Sequence, residues 1–195
     1  MIESEWFEYI SLVFAILLFV SLYFNFKFIK KLHTHHENSQ SLIKSAYFNS
    51  VTELPNLSNI ELVISEQIDR ARRHNKKFIL TAMKVNNYAD IKSESKEKAD
   101  TYMHEAANRL LTLVRDEDIV GHIEEDVFLI VFNEYLEDGN YSKITERIES
   151  VFIGDPHLHT DGNIDFQVTL GCSEYPDHGV NVHSLIEHAK SAALK

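Results

Sequence analysis

Apolar residues are spread unevenly along this chain. From Tyr9 to Phe26 no residue is charged. With Lys27 snorkelling to the interface, the apolar stretch extends over residues 9–29. At about 1.5 Å per helical residue it matches a hydrocarbon layer of ~30 Å. Trp6, Tyr9 and Tyr23 put aromatic rings near the two ends. The pattern predicts one transmembrane helix over 9–29 after a short extracytoplasmic tail of residues 1–8. A cleaved signal peptide has a basic start, a shorter apolar centre and a small-x-small cleavage site. Here Glu3, Glu5 and Glu8 open the chain and no Ala-x-Ala follows.

Residues 30–48 are polar and predict a juxtamembrane stalk. His33, His35 and His36 lie in it without a carboxylate-and-cysteine set at ligand spacing, so a solvated stretch is the expected reading. Beyond it, helical and strand periods alternate. Asn56 or Ser58 precedes Ile60, Val63, Ile64, Ile68 and Ala71 at helical spacing. Phe78 to Val85 reads as a buried strand. The charged run Asp90 to Lys98 leads into a helix with Met103, Ala106, Ala107, Leu110, Leu111 and Val114 on one face. Ile119 to Ile123 and Val127 to Phe132 form a tight hairpin across Glu124, Glu125 and Asp126. A helix over 141–152, a strand over 164–172 and a helix from Val182 complete the order α-β-α-β-β-α-β-α. This order predicts an α+β fold, with helices flanking a mostly antiparallel sheet.

Charge narrows the function. Thirty acids against nineteen Lys and Arg give a net charge of -11, which argues against nucleic-acid binding. Lys27, Lys30 and Lys31 follow the apolar stretch and three acids precede it. The positive-inside rule then places the bulk of the chain, C-terminal to a single span, in the cytoplasm. The one cysteine, Cys172, makes no internal disulfide and reads as a small core residue at a strand end. His157, His159 and Asp161 read as a surface loop rather than a metal site.

Several segments together resemble one known family. Val51-Thr52-Glu53-Leu54-Pro55-Asn56 resembles Leu-Thr-Gly-Leu-Pro-Asn. Asp100, Met103, Ala106-Ala107 and Leu110 resemble the helix after the first strand. Val168-Thr169-Leu170-Gly171 with Tyr175-Pro176 and Gly179 resembles the last strand and its turn. Leu185-Ile186, Ala189, Ala192 and Leu194 resemble the closing helix. From residue 49 to 195 the chain resembles a GGDEF domain, the family that condenses two GTP into cyclic di-GMP. The resemblance implies that family's nucleotide-cyclase-like palm.

The signature itself departs from the family. His122-Ile123-Glu124-Glu125-Asp126-Val127-Phe128 stands where the family has Arg-Tyr-Gly-Gly-Asp-Glu-Phe. Two carboxylates there hold divalent metal against GTP; by resemblance their positions are Val127 and Lys84, the latter within Met83-Lys84-Val85-Asn86-Asn87-Tyr88. Neither supplies an oxygen ligand. Glu124 and Glu125 replace glycines that permit close backbone approach and positive φ, and add negative charge beside a polyanion. Lys92 corresponds to a guanine-reading asparagine, and Asp100 matches a guanine-reading acid. Asn49 and Leu57 replace an acid and an arginine of the lead-in. The resemblance thus implies no catalytic residues and no cofactor, with magnesium needed only if the chain is a cyclase after all.

One family motif is retained. Arg115-Asp116-Glu117-Asp118 is an Arg-x-x-Asp placed as in the family's inhibitory site, which binds cyclic di-GMP. A guanidinium can donate twice to guanine O6 and N7, and a carboxylate can accept from guanine N–H groups. Three functions stay open: an inactive membrane-anchored receptor or interaction module acting with a protein partner or second copy, an active or weakly active diguanylate cyclase, and a scaffold that binds no nucleotide.

Overall fold

Asn56 starts the first helix of the folded unit because its side chain accepts a hydrogen bond from the Asn59 N–H, 3.2 Å away. The computed structural model describes residues 17–19, 21–27, 43–132, 141–153 and 166–194, with backbone alone at 141–144 and 153. Contacts divide the chain into Met1–Lys44 and Ser45–Lys195. In the first unit, residues 17–19 and 21–27 are helical and exposed. The remainder of the 9–29 segment, the tail 1–8 and residues 30–42 with their histidines lie outside the described residues. Among the described residues no helix is long and apolar enough to cross a membrane.

In the second unit the order is α1 (Leu57–His74), β1 (Phe78–Val85), α2 (Tyr88–Glu94), α3 (Lys96–Leu113), β2 (Ile119–Glu124), β3 (Val127–Val131), α4 (Tyr141–Ile153), β4 (Val168–Tyr175) and α5 (Val182–Ala193). The four strands form one antiparallel sheet in the order β2-β3-β1-β4. β1 is a central strand, covered on both faces, which is why its sequence reads as a nearly continuous apolar run. Its alternate residues divide the core in two. Ile79, Met83 and Val85 pack with Met103, Ala106 and Leu110 of α3. Phe78, Leu80 and Ala82 pack with Ile60 and Ile64 of α1 and Leu185 and Ala189 of α5. Both cores are built from within Ser45–Lys195, so this unit carries the apolar burial that its own folding needs. At Gly171 an added Cβ would lie 2.2 Å from the Ala189 carbonyl, so α5 lies close on β4 there.

The α+β class and the antiparallel sheet agree with the sequence. Four details differ. The short helix α2 was not expected: it buries no residue and lacks a side-chain N-cap bond, so no apolar period announces it. Ser95 then caps α3 separately. The last strand begins at Val168 and continues to Tyr175, with residues 166 and 167 outside it and 164–165 not described. Cys172 is consequently inside a strand, half-buried against Thr81 Oγ1 at 3.3 Å, rather than at its end. The hairpin turn is Glu125 and Asp126 alone, with a bulge between His122 and Glu124.

The lead-in before α1 is a closed turn. The Asn49 side chain accepts from the Val51 and Thr52 N–H groups, and its N–H donates to Leu54 O at 2.8 Å. Glu53, where the family has glycine, takes φ 58°. A side chain in that left-handed region costs about 1–2 kcal/mol.

Ser173, on the α5 face of β4, is fully buried and its hydroxyl has no hydrogen-bond partner among the described residues. An unsatisfied buried polar group costs ~1–3 kcal/mol. Ser173→Ala is therefore expected to raise unfolding free energy by about 1 kcal/mol, read as a higher urea midpoint at unchanged slope. A lower midpoint would refute the assignment.

Candidate functional site

The end of the sheet holding the β2–β3 turn brings together most of the residues singled out above. Lys84 is the Cα partner of Val127 across β1 and β3, so the two positions stand side by side. Strand alternation points both toward the α5 side, since Val127 packs in the core beneath that helix. Lys84 Nζ lies 3.7 Å from Asp126 Oδ2. From α5, Lys190 Nζ reaches Glu124 at 2.5 Å and Glu187 at 3.0 Å. From α2, Lys92 Nζ reaches Glu125 at 2.6 Å and lies 5.5 Å from the Tyr88 ring centre. Each acid of the turn is thus paired with a lysine from a different element.

These pairs revise the electrostatics read from sequence. Glu124 and Glu125 do not add free negative charge; lysines compensate both. The bond to Glu124 is the main cause raising the Lys190 pKa, and the bond to Glu125 does the same for Lys92. Positive φ is not used either: among the described residues only Glu53 and Asn75 adopt it outside glycine. The bulge before Glu124 supplies the extra twist that a glycine turn otherwise gives.

A cavity of about 70 Å3 remains here, lined by Lys84, Glu124, Asp126, Val127, Lys190, Ala193 and Leu194. Magnesium needs oxygen ligands in near-octahedral array. The two facing positions offer an ammonium and an isopropyl group, and the nearby carboxylates are engaged by lysines. These residues do not fit a magnesium ion. Among the described residues no group of three or more His, Cys, Asp or Glu could hold a metal.

His122 locks the turn to the lead-in. It is 3% exposed and stacks on Phe128, centroids 4.5 Å apart. Its Nε2 lies 3.2 Å from Glu125 O and its Nδ1 3.1 Å from Thr52 Oγ1. A carbonyl only accepts, so Nε2 carries the proton and the Thr52 hydroxyl donates to Nδ1. The His122 N–H also donates to Pro55 O at 2.9 Å. Sequence inspection singled out this position only as a replaced arginine; a polar residue within an apolar strand was the available signal.

The other candidates stand apart from this cluster. Asp100 lines a groove of about 600 Å3 with Ser50, Val51, Lys96, Thr101, His104 and Glu105. No hairpin residue lines it, so Asp100 and Lys84 do not share a cavity. Arg115 and Asp118 do come together, in the turn between α3 and β2. Asp118 Oδ2 accepts from the Arg115 N–H at 3.1 Å, and the Asp118 N–H donates to Arg115 O at 3.0 Å. The Arg115 side chain is 61% exposed, 3.8 Å from Glu117. His157, His159 and Asp161 lie outside the described residues.

Residues 46–195 match the family described as diguanylate cyclase, GGDEF domain. The chain belongs to the GGDEF family. It is 26% identical over 162 residues to diguanylate cyclase DgcP of Escherichia coli K12, covering 81% of this chain and 46% of DgcP. It therefore spans about half the length of that relative. The coiled coil and GGDEF domain of Caulobacter crescentus DgcB in complex with c-di-GMP superimposes with a TM-score of 0.69 at 14% identity, covering 84% of this chain and 87% of that one. Diguanylate cyclase SiaD of Pseudomonas aeruginosa, in complex with its activator SiaC, gives a TM-score of 0.67 at 16% identity, covering 98% and 76%. These likenesses establish the fold.

Burial is the main cause lowering the His122 pKa below 6.5. The unfolded chain then binds the extra proton more readily, so the neutral ring's contribution is full above pH 6.5 and fades as pH falls toward the folded value. His122→Ala is expected to cost about 3 kcal/mol at pH 7.5 through lost packing and two lost hydrogen bonds. It should also flatten the fall in stability between pH 7.5 and 5.5. Denaturant melts of both proteins at the two pH values check this, and an unchanged slope would refute it.

Proposed function

We propose that this chain is a membrane-anchored, catalytically inactive GGDEF signalling module of a bacterial inner membrane, its C-terminal domain cytoplasmic. The single observation that carries the inactivity is Lys84 beside Val127, with Asp126 paired to the lysine. Two-metal phosphoryl chemistry needs divalent ions between the substrate oxygens. A lysine can hold a phosphate but does not bridge two substrates or activate a hydroxyl. Residues 9–29 anchor the module by a single span, and residues 30–48 link it to the GGDEF domain.

Its ligand is cyclic di-GMP, held by Arg115 and Asp118. Support comes from the closed turn that already brings the two residues together, and from the likeness to DgcB in complex with c-di-GMP. Asp100 is a surviving base contact in a separate groove. A protein partner or second copy is the output, in keeping with the SiaD–SiaC complex of a protein of the same fold. An active diguanylate cyclase is the second reading, favoured by the activity of the named relatives.

Two measurements test this. Calorimetry of the full chain in detergent with cyclic di-GMP is expected to show micromolar binding that Arg115→Ala weakens at least tenfold; flat traces for both proteins would remove the receptor reading. Incubation with GTP and magnesium is expected to yield no cyclic di-GMP. Product that disappears on Asp126→Ala would establish the cyclase instead.

A further inference from the structure

Among the described residues of the GGDEF domain, positive charge is densest at one end. Residues 70–89 contain Arg70, Arg72, Arg73, Lys76, Lys77 and Lys84, and no Asp or Glu. Five of these six cations fall within residues 70–77, where α1 ends and β1 begins, and residues 72–77 are all exposed. Part of the cluster has a local explanation. Arg72 and Arg73 lie in the last turn of α1, where cations favour the helix dipole. Arg70 pairs with Glu66 and Arg72 with Asp69, both exposed pairs of little net strength. Lys77 is held by Asp177 at 2.7 Å and Glu174 at 3.1 Å. Lys76 lies beyond the cap, where the dipole no longer accounts for it. Among the described residues, no acid is paired with Arg73, His74 or Lys76.

The net charge of -11 does not cancel this patch. The acidic turn of the hairpin sits at the opposite end of β1, and eight residues at ~3.3 Å each put about 25 Å between the two ends. Screening at physiological ionic strength acts over roughly 8 Å. Beside the patch, the Lys77–Asp177 bond brings in the β4–α5 loop, which exposes Val180 at 67%. Glu66, Asp69, Glu174 and Asp177 offset three of the five cations, so this pole of the domain presents Arg73 and Lys76, with an apolar side chain in the adjoining loop.

We infer that this pole, centred on Arg73 and Lys76, docks on an anionic lipid surface. The inference rests on the membrane-anchored reading. A tether of residues 30–48 adds effective concentration at the bilayer to the affinity that the patch has by itself. Nucleic acid is disfavoured as the occupant because two or three unpaired cations fall short of the phosphate contacts duplex binding uses, and the rest of the chain repels a polyanion.

The test uses the 45–195 fragment, which contains both cores but lacks the anchor. Its result is thus independent of whether residues 9–29 span a bilayer; carbonate extraction of the full chain tests that separately. Co-sedimentation with phosphatidylglycerol vesicles and with phosphatidylcholine vesicles is expected to show binding to the former alone, lost at 0.5 M salt. Each cation at a membrane surface is worth about fivefold in partition, so Arg73→Gln with Lys76→Gln should weaken binding roughly thirtyfold. Circular dichroism melts should coincide with wild type. Inorganic phosphate at 10 mM should not displace the fragment. Equal binding to both vesicle types, no binding at 20 mM salt, displacement by phosphate, or tighter retention by duplex DNA would each overturn the inference.

Discussion

The arrangement around the β2–β3 turn depends on Lys84 lying beside Val127. Once an ammonium occupies that place, its own repulsion of a divalent cation is about 8 kcal/mol at 4 Å and an effective dielectric of 20, of which the neighbouring Asp126 carboxylate offsets a part. The same ammonium takes Asp126 as its counter-ion. The two glutamates of the turn then find Lys190 and Lys92 on separate elements. The Lys92–Glu125 pair is exposed and the other two are partly buried, and each contributes on the order of 1 kcal/mol. Their main effect is geometric: they occupy the carboxylates that a metal would need and leave a cavity of about 70 Å3.

That explains how a chain can keep the GGDEF fold while its signature reads so differently. The fold is secured elsewhere, by the two apolar layers on either face of β1, by the close approach of α5 to Gly171, and by His122 tying the lead-in to the turn. None of these needs the metal or the signature glycines. The bulge before Glu124 lets ordinary side chains form the hairpin. The residues that secure the fold are therefore not those of the turn, and the fold persists where the turn's sequence departs from the signature.

How much the sequence discloses follows the same division. The strand over Phe78 to Val85 was legible because burial on both faces demands an unbroken apolar run, and α1 and α3 because one face of each repeats at helical spacing. The helix over Tyr88 to Glu94 was not, since it buries nothing and so has no period. The resemblance set Lys84 and Val127 at two metal-ligand positions of the family, and the sheet makes them Cα partners across β1 and β3. The lysine partners of Glu124 and Glu125 were invisible because they come from residues 66 and 33 positions away, and linear order carries no trace of such a pair. His122 was hidden for a related reason: its partners Thr52 and Glu125 meet only when the lead-in folds across the hairpin.

The His122 contacts also couple the lead-in to the turn. Thr52 and Pro55 lie in the closed turn that Asn49 organises, directly after the helical residues 43–47, and Asn56 Nδ2 and N–H donate to Ala46 O and Tyr47 O at 2.9 and 3.0 Å. A continuous chain of hydrogen bonds therefore runs from the incoming backbone through Asn56 and Pro55 to His122 and on to Glu125. A buried, doubly bonded imidazole tolerates little displacement of either neighbour, because moving one strands a polar atom away from water at a cost of ~1–3 kcal/mol. Any shift of the lead-in is thus carried to the turn rather than absorbed between them. What such a shift reaches is the surface that the three lysine–carboxylate pairs present.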